Sequence, residues 1–240
     1  RLYSSERLVR ENRWDRWHPG GPLLGDEVTG KVIGVVGAGR IGKAFILKCI
    51  GLDVDFLYFN RSEQKEFAEA VQGVLDAQRK AGLIRRRRGI RFASLQECLQ
   101  GSDFVSIHLP LNEQTHGLIA EEALRSMKRT AYLINTARGA IIDEQALYRA
   151  LREGWIAGAA LDVFETEPLP ADSPLRDPDL EERLRLFSHM GSAAGRTRLS
   201  PDPEVGMAGR CVQGMIDLLE GNYGGNPADV PLVVNKEAFG

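Results

Sequence analysis

Three residues that could together reduce a carbonyl group follow apolar, strand-like segments of the chain. Arg138 lies in NTARGAIID, Glu167 in LDVFETEP and His189 in SHMGSAA. Hydride addition to a carbonyl leaves negative charge on oxygen, and a histidine beside a carboxylate is a suitable proton donor near neutral pH. An arginine can hold a substrate carboxylate bidentately and polarise the carbonyl. Each residue alone is more simply explained as a surface charge or turn residue, but three at successive strand ends favour an active site.

A glycine motif that is typical of dinucleotide sites precedes these residues. GAGRIG follows the apolar run KVIGVV and opens a predicted helix. In this setting Gly37 permits a tight turn, Gly39 lets the backbone approach a pyrophosphate, and Gly42 allows close helix–strand packing. The helix N-terminus favours the diphosphate, and the predicted contacts include Arg40 and Ile41. Methyltransferases also use glycine-rich first turns, so the motif alone does not identify the cofactor.

The second predicted strand ends in LYFNRS, where dinucleotide sites usually carry an acid that binds the ribose hydroxyls. Asn60 removes the repulsion that an acid would exert on a 2′-phosphate, about 4 kcal/mol at about 4 Å near a protein surface. Arg61 and Ser62 offer donors to such a phosphate. This pattern predicts a preference for NADP(H), with NAD(H) as the alternative. In the alternative, Asn60 is a turn residue and Ser62 caps the following helix.

The chain alternates apolar runs with amphipathic segments, which predicts parallel strands joined by helices. Strands are expected at 31–36, 54–59, 90–93, 104–108, 131–135, 156–161 and 184–188. Helices are expected at 4–16, 40–50, 63–80, 94–100, 120–127, 143–153 and 204–221, with an acidic, proline-rich loop at 162–183. The predicted fold is therefore α/β, a doubly wound parallel sheet of the Rossmann type, with crossing helices from an incomplete second domain.

Composition excludes several classes of function. Lys+Arg 31 against Asp+Glu 33 gives a net charge of −2, so we expect no nucleic-acid partner and no membrane binding. The run of arginines at 85–88 is interpreted as a solvated loop tip. Cys49, Cys98 and Cys211 are odd in number and far apart, and we expect them to be core residues in a reducing compartment. The four histidines are too scattered to predict a metal site.

The motifs GAGRIG, HLPLNEQTHGLI, NTARGAIIDEQAL, LDVFETEP and HMGSAA occur together and in one order. In these motifs the chain resembles the D-isomer-specific 2-hydroxyacid dehydrogenases over roughly residues 1–221, and is most similar to the hydroxypyruvate and glyoxylate reductase branch. The resemblance implies that His189 is the proton donor, Glu167 its carboxylate partner and Arg138 the substrate clamp. It also implies that Asp162 holds the nicotinamide carboxamide.

Pro110 and Thr136 complete the cofactor contacts that the resemblance implies. The substrate would be a small 2-oxo acid, reduced to the D-2-hydroxy acid. The chain departs from the family at Ser188 and Met190, where Pro and Ile usually flank the catalytic histidine. Neither departure changes the titrating group.

Only 30 residues precede the first predicted strand, whereas the family carries a large N-terminal segment of the substrate domain there. We therefore expect a fragment, with residues 1–25 as interdomain helix and arm, 26–190 as the dinucleotide-binding domain and 191–240 as the return helix and tail. Trp14 and Trp17 would be exposed apolar surface, and a cytoplasmic homodimer is expected. The alternatives are a dinucleotide-regulated binding module of the corepressor type and an inactive fragment.

Overall fold

The computed structural model describes residues 2–16, 23–84, 86–202 and 204–220. Its contacts divide the chain into two compact units, Arg1–Ser188 and His189–Gly240. The domain boundaries expected from sequence stay predictions. Trp17, Arg85 and the tail from 221 onward lie outside the described residues.

A seven-stranded, all-parallel sheet forms the centre of the first unit, in the order β3-β2-β1-β4-β5-β6-β7. The strands are β1 Val32–Val36, β2 Asp55–Phe59, β3 Ile90–Phe92, β4 Phe104–Ile107, β5 Tyr132–Asn135, β6 Gly158–Leu161 and β7 Leu184–Leu186. The order reverses between β1 and β4, so successive crossovers place helices on both faces. The predicted doubly wound fold is confirmed, and the reversal marks where such sheets bind ligands.

The central strands are apolar because both faces of the sheet are covered. Adjacent residues of a strand point to opposite faces, yet Val35 and Val36 of β1 are both fully buried. Val35 belongs to one apolar cluster with Phe56, and Val36 to another with Leu133. A parallel sheet with a core on each side follows directly from these continuous apolar runs.

Helices connect the strands close to the predicted positions. They are α1 Leu2–Arg10, α2 Arg40–Cys49, α3 Lys65–Lys80, α4 Leu95–Gly101, α5 Glu121–Ser126, α6 Glu144–Glu153, α7 Gly195–Leu199 and α8 Met207–Glu220. The short α7 is not predicted from the sequence. Local signals set several ends: Ser94 and Glu97 form a capping box on α4, and Asp143 caps α6 through the Ala146 N–H.

The arginine run is not a wholly solvated tip. Arg86 and Arg87 are exposed, but Arg88 is only 6% exposed. Its Nε lies 2.7 Å from Oδ1 of Asp53 and its Nη1 lies 3.2 Å from Oδ2 of Asp55. For Arg88 the interpretation from sequence is wrong, because the buried guanidinium ties the start of β3 to the start of β2.

The cysteine prediction holds in part. Cys49 and Cys98 are buried, and burial raises the pKa of the Cys98 thiol to about 11. Cys211, on α8, is exposed and is not a core residue of its unit.

Candidate active site

The carboxyl ends of the central strands meet at one edge of the sheet. The last residue of β1, Val36, pairs with Phe59 on one side and Ile107 on the other. The same row continues through Asn135 to Leu161. The residues that come next along each strand therefore share this edge; they are Gly37, Asn60, His108, Thr136 and Asp162.

The glycine turn after β1 has the geometry that the sequence motif predicts. Gly37 has φ +106°, and a Cβ there would lie 2.9 Å from the backbone of His108 and Leu109. A Cβ on Gly42 would lie 2.1 Å from the Gly37 carbonyl oxygen, so α2 packs directly on the turn. Gly39 differs, since apart from its chain neighbours none of the described residues lies within 4 Å of where its Cβ would be. The first and third glycines are thus required by the fold, and the second leaves an open approach to the backbone.

The N-terminus of α2 faces this open approach. Its N-cap is Gly39, and within the described residues no side chain caps it. Arg40 and Ile41 form the first turn, and Ile41 is 71% exposed although it is apolar. Uncapped N–H groups, the positive end of the helix dipole and a flanking guanidinium suit a diphosphate.

The loop after β2 holds the residues expected to distinguish the two nicotinamide cofactors. Asn60 Nδ2 donates to the Ser62 carbonyl oxygen at 3.2 Å, which shapes the turn. The α3 N-cap is Gln64, so Ser62 is not the helix cap that the alternative interpretation required. Arg61 is exposed, and in the described part of the chain its guanidinium has no hydrogen bond or ion pair. As far as the described residues go, an unpaired cation therefore lies beside the turn.

A histidine that the sequence motifs did not single out as functional, His108, lies directly after β4. Nε2 of His108 shares a 2.9 Å hydrogen bond with the buried Ser106 hydroxyl, and its ring lies 5.1 Å from that of Phe45 on α2. Burial lowers the pKa of His108 to about 4, so the ring is neutral at physiological pH. His108 thus joins β4 to the helix that opens at the glycine turn. Its signal in the sequence was its position at the end of the predicted strand 104–108.

Pro110 lies two residues beyond His108 and is exposed at the same edge. Its carbonyl oxygen accepts a hydrogen bond from the Thr115 hydroxyl at 2.7 Å. Asn112 accepts the N–H groups of Gln114 and Thr115 through Oδ1. The loop from 110 to 115 is therefore internally bonded, which fixes Pro110.

A buried amide holds the loop that carries Arg138. Asn135, which is 0% exposed, donates through Nδ2 to the Arg138 carbonyl oxygen at 2.9 Å. Its Oδ1 accepts the Ala137 N–H at 3.0 Å. Thr136 and Arg138 are exposed on this loop. The buried Asn135 side chain thus fixes the Arg138 backbone, while the Arg138 side chain stays accessible to solvent.

The loop after β6 carries Asp162 and Glu167. Asp162 is 6% exposed, and its N–H donates to the Asn135 carbonyl oxygen at 2.9 Å. Oε1 of Glu167 accepts the Phe164 N–H at 2.9 Å, so this exposed carboxylate is held by its own loop. The next amide, Glu165 N–H, donates to Oε1 of Glu144 on α6 at 2.7 Å.

Gly139 joins the Arg138 loop to the Glu167 loop. A Cβ on Gly139 would lie 1.8 Å from the carbonyl carbon of Phe164 and 2.3 Å from the nitrogen of Glu165. No side chain can occupy that space, so the two backbones are in direct contact. The structure therefore brings the loops of Arg138 and Glu167 together in the first unit.

His189 begins the second unit and is described within it. It is exposed and has φ +56°, which is unusual for a residue other than glycine. β7 ends at Leu186, earlier than the predicted Ser188, so two residues separate the strand from the histidine.

Neither a metal centre nor a membrane span is found among the described residues. No group of three or more His, Cys, Asp or Glu side chains there could hold a metal ion. No helix there is long and apolar enough to cross a membrane.

Comparison with known proteins agrees with this architecture. Residues 1–191 match the family described as D-isomer specific 2-hydroxyacid dehydrogenase, NAD binding domain. The chain is 42% identical over 199 residues to a glyoxylate reductase of Korarchaeum cryptofilum, covering 82% of this chain and 54% of that protein. It is 40% identical over 240 residues to a glyoxylate reductase of Thermofilum pendens, covering 100% of this chain and 61% of the relative. The chain thus spans little more than half the length of these curated relatives.

Solved structures give the same result. The TT0316 protein of Thermus thermophilus superposes with a TM-score of 0.73 at 34% identity, covering 92% of this chain and 60% of that one. A glyoxylate reductase from Paecilomyes thermophila superposes with a TM-score of 0.64 at 31% identity, covering 80% and 51%. With the family match across most of its length and the glycine turn at the switch point of its sheet, the chain belongs to the D-isomer-specific 2-hydroxyacid dehydrogenases.

Proposed function

We propose that the chain belongs to an enzyme that reduces a small 2-oxo acid, of the glyoxylate or hydroxypyruvate kind, to the D-2-hydroxy acid with NADPH. The observation that carries the proposal is the contact of Gly139 with the Phe164–Glu165 backbone, because it brings the Arg138 and Glu167 loops together at the dinucleotide edge. The likeness to glyoxylate reductases supports the same substrate class.

The residues at the sheet edge suit a nicotinamide dinucleotide. The open backbone at Gly39 and the first turn of α2 would receive the diphosphate. Thr136 and Pro110 lie on adjacent loops at this edge, and Asp162 would hold the carboxamide. When bound, the cofactor supplies the hydride.

The chain's own residues would supply binding and the proton. Arg138 would hold the substrate carboxylate bidentately, with its backbone fixed by Asn135. His189 would donate a proton to the carbonyl oxygen as charge develops there, with Glu167 as its carboxylate partner. The Phe164 N–H fixes one oxygen of Glu167, which sets the direction of the carboxylate.

Preference for NADPH rests on the loop after β2. Arg61 is an exposed cation without a partner in the described residues, and Ser62 does not have the helix-capping role that would otherwise explain it. A guanidinium–phosphate contact contributes about 1.5–3 kcal/mol, so Arg61→Ala should weaken NADPH binding about tenfold to hundredfold. NADH affinity should stay unchanged.

Calorimetric titration with NADPH and NADH, followed by assay of 2-oxo acid reduction, tests the proposal. The matched control is Arg79→Ala, an exposed arginine in the last turn of α3. It should leave both affinities unchanged. Equal binding of the two cofactors by the wild type would refute the NADPH preference. In the whole protein to which this chain belongs, cofactor binding without turnover, or full turnover by the His189→Ala variant, would refute the enzymatic proposal and favour a binding module.

A homodimer in the cytoplasm completes the proposal. The first unit exposes apolar side chains at its N-terminal end, including Leu2, Val9 and Trp14, the last of them 59% exposed. Exposed apolar surface of this kind is typical of interfaces. Sedimentation velocity should show a dimer, and a concentration-independent monomer would contradict this part of the proposal.

A further inference from the structure

Two carboxylates each accept a hydrogen bond from one backbone amide of the loop that follows β6. The Phe164 N–H donates to Glu167 and the next N–H, that of Glu165, donates to Glu144. Glu167 is a residue of the loop itself, whereas Glu144 comes from the first turn of α6, 21 residues earlier in the chain. Glu144 thus attaches this loop to α6 by a charge-assisted bond.

Glu144 has no simpler structural role that accounts for its position. The N-cap of α6 is Asp143, whose Oδ1 accepts the Ala146 N–H at 2.9 Å, so the helix does not need Glu144 as its cap. An acid in the first turn also favours the helix dipole, but a solvated carboxylate would provide that. Burial raises the pKa of Glu144, which means that its position is unfavourable for a charge and needs a compensating contact.

The bond from Glu165 to Glu144 acts at the point where the two catalytic loops touch. The Glu165 nitrogen and the Phe164 carbonyl group are the atoms that a Cβ on Gly139 would meet, and Gly139 directly follows Arg138. The bond to Glu165 therefore fixes the loop backbone that carries Glu167. The same backbone is in contact with the Arg138 loop at Gly139.

We infer that Glu144 is a positioning residue, which acts through the Glu165 amide to hold Glu167 and Arg138 in their reactive arrangement. This inference rests on the proposed function. Displacements of about 1 Å in catalytic groups can reduce rates about a hundredfold, so the contact has kinetic consequences. Glu144 itself does not touch the substrate.

Steady-state reduction of glyoxylate by the whole protein that contains this chain, and by its Glu144 variants, tests the inference. Glu144→Ala should lower kcat about tenfold to hundredfold and leave the dissociation constant for NADPH within about twofold of wild type. Glu144→Gln keeps an oxygen of the same reach that accepts the Glu165 N–H, and it should restore most of kcat. Gln145→Ala, an exposed neighbour on the same helix, is the matched control and should behave as wild type.

The steady-state constants and the melting temperature separate positioning from general loss of stability. If Glu144→Ala loosens Glu167 and Arg138, kcat should fall and the KM for glyoxylate should rise at temperatures well below the melting transition, because the geometry of the site is lost while the protein stays folded. A variant that only unfolds more easily would lose melting temperature and keep the wild-type kcat and KM below the transition. Wild-type kcat and KM in Glu144→Ala would overturn this inference alone. Absence of turnover in the wild type would overturn the proposed function as well.

Discussion

Gly139→Ala tests the contact on which the candidate site depends. The added methyl group would lie 1.8 Å from the carbonyl carbon of Phe164, 2.1 Å from its oxygen and 2.3 Å from the nitrogen of Glu165. All three neighbours are backbone atoms, which cannot rotate away as a side chain could. Ordinary carbon contacts are about 3.5–4 Å, so one of the two loops has to move by roughly 1 Å or more.

The cost of this movement can be built from its parts. Overpacking by one methyl group costs about 1–3 kcal/mol. Displacement of the loop also weakens the bonds from Phe164 N–H to Glu167 and from Glu165 N–H to Glu144, each worth about 1 kcal/mol at partly solvated sites. We expect a loss of about 2–4 kcal/mol in the free energy of unfolding. Turnover should fall about a hundredfold, because Arg138 and Glu167 move apart.

Denaturant unfolding and steady-state kinetics measure the two effects. Gly73→Ala is the matched control, because Gly73 lies in the middle of α3 and, outside its own helix, none of the described residues is within 4 Å of where its Cβ would be. That substitution should stabilise the protein by up to about 1 kcal/mol through helix propensity and leave turnover unchanged. If Gly139→Ala were as stable and as active as wild type, the two loops would not be in the contact described, and the argument for the site would fail.

Two further substitutions test the ion pairs of a buried arginine and a half-buried imidazole. Arg88→Met leaves the partly exposed Asp53 and Asp55 without their cation and should cost about 1.5–3 kcal/mol in the free energy of unfolding. The exposed Arg87→Met should change it by less than about 0.5 kcal/mol, and equal effects in urea titrations would contradict these ion pairs. Because burial lowers the pKa of His108 to about 4 from 6.5, the folded state binds its proton less readily than the unfolded state, and stability should fall as pH drops from about 6.5 to 4. His108→Gln should flatten that part of the melting-temperature profile, and an unchanged slope would exclude His108 as its source.

Elements buried on both faces could be predicted from sequence, and those fixed by distant partners could not. KVIGVV and AYLIN specify strands because continuous apolar runs suit a covered parallel sheet. The predicted loop at 162–183 contains two 3-10 turns, Pro174–Arg176 and Pro178–Leu180. Arg152 bonds Asp177 across 25 residues there, a contact that no local pattern encodes.

The same limit applies at the site itself. Arg138 and Glu167 could be named from their positions after strands, and the NADP interpretation from Asn60, Arg61 and Ser62. Nothing in the local sequence indicated that Glu144 would receive an amide from 21 residues away. Residue type and strand order predict which side chains lie at the carboxyl edge of the sheet. The contacts that fix these side chains depend on how the Arg138 and Glu167 loops pack against each other.

The geometry of the candidate site is therefore fixed by residues that are not expected to contact the substrate. Arg138 and Glu167 are exposed, and exposed side chains on loops lose their geometry unless their backbones are held. The buried side-chain amide of Asn135 fixes the backbone of the Arg138 loop. Because Gly139 has no side chain, the backbone of the Glu167 loop packs directly against it. Because this arrangement separates the proposed reacting groups from the groups that anchor them, substitutions at Asn135, Gly139 or Glu144 should reduce turnover without removing any group that we propose to touch the substrate. Substitutions of Arg138 or Glu167 should reduce turnover while leaving the fold intact.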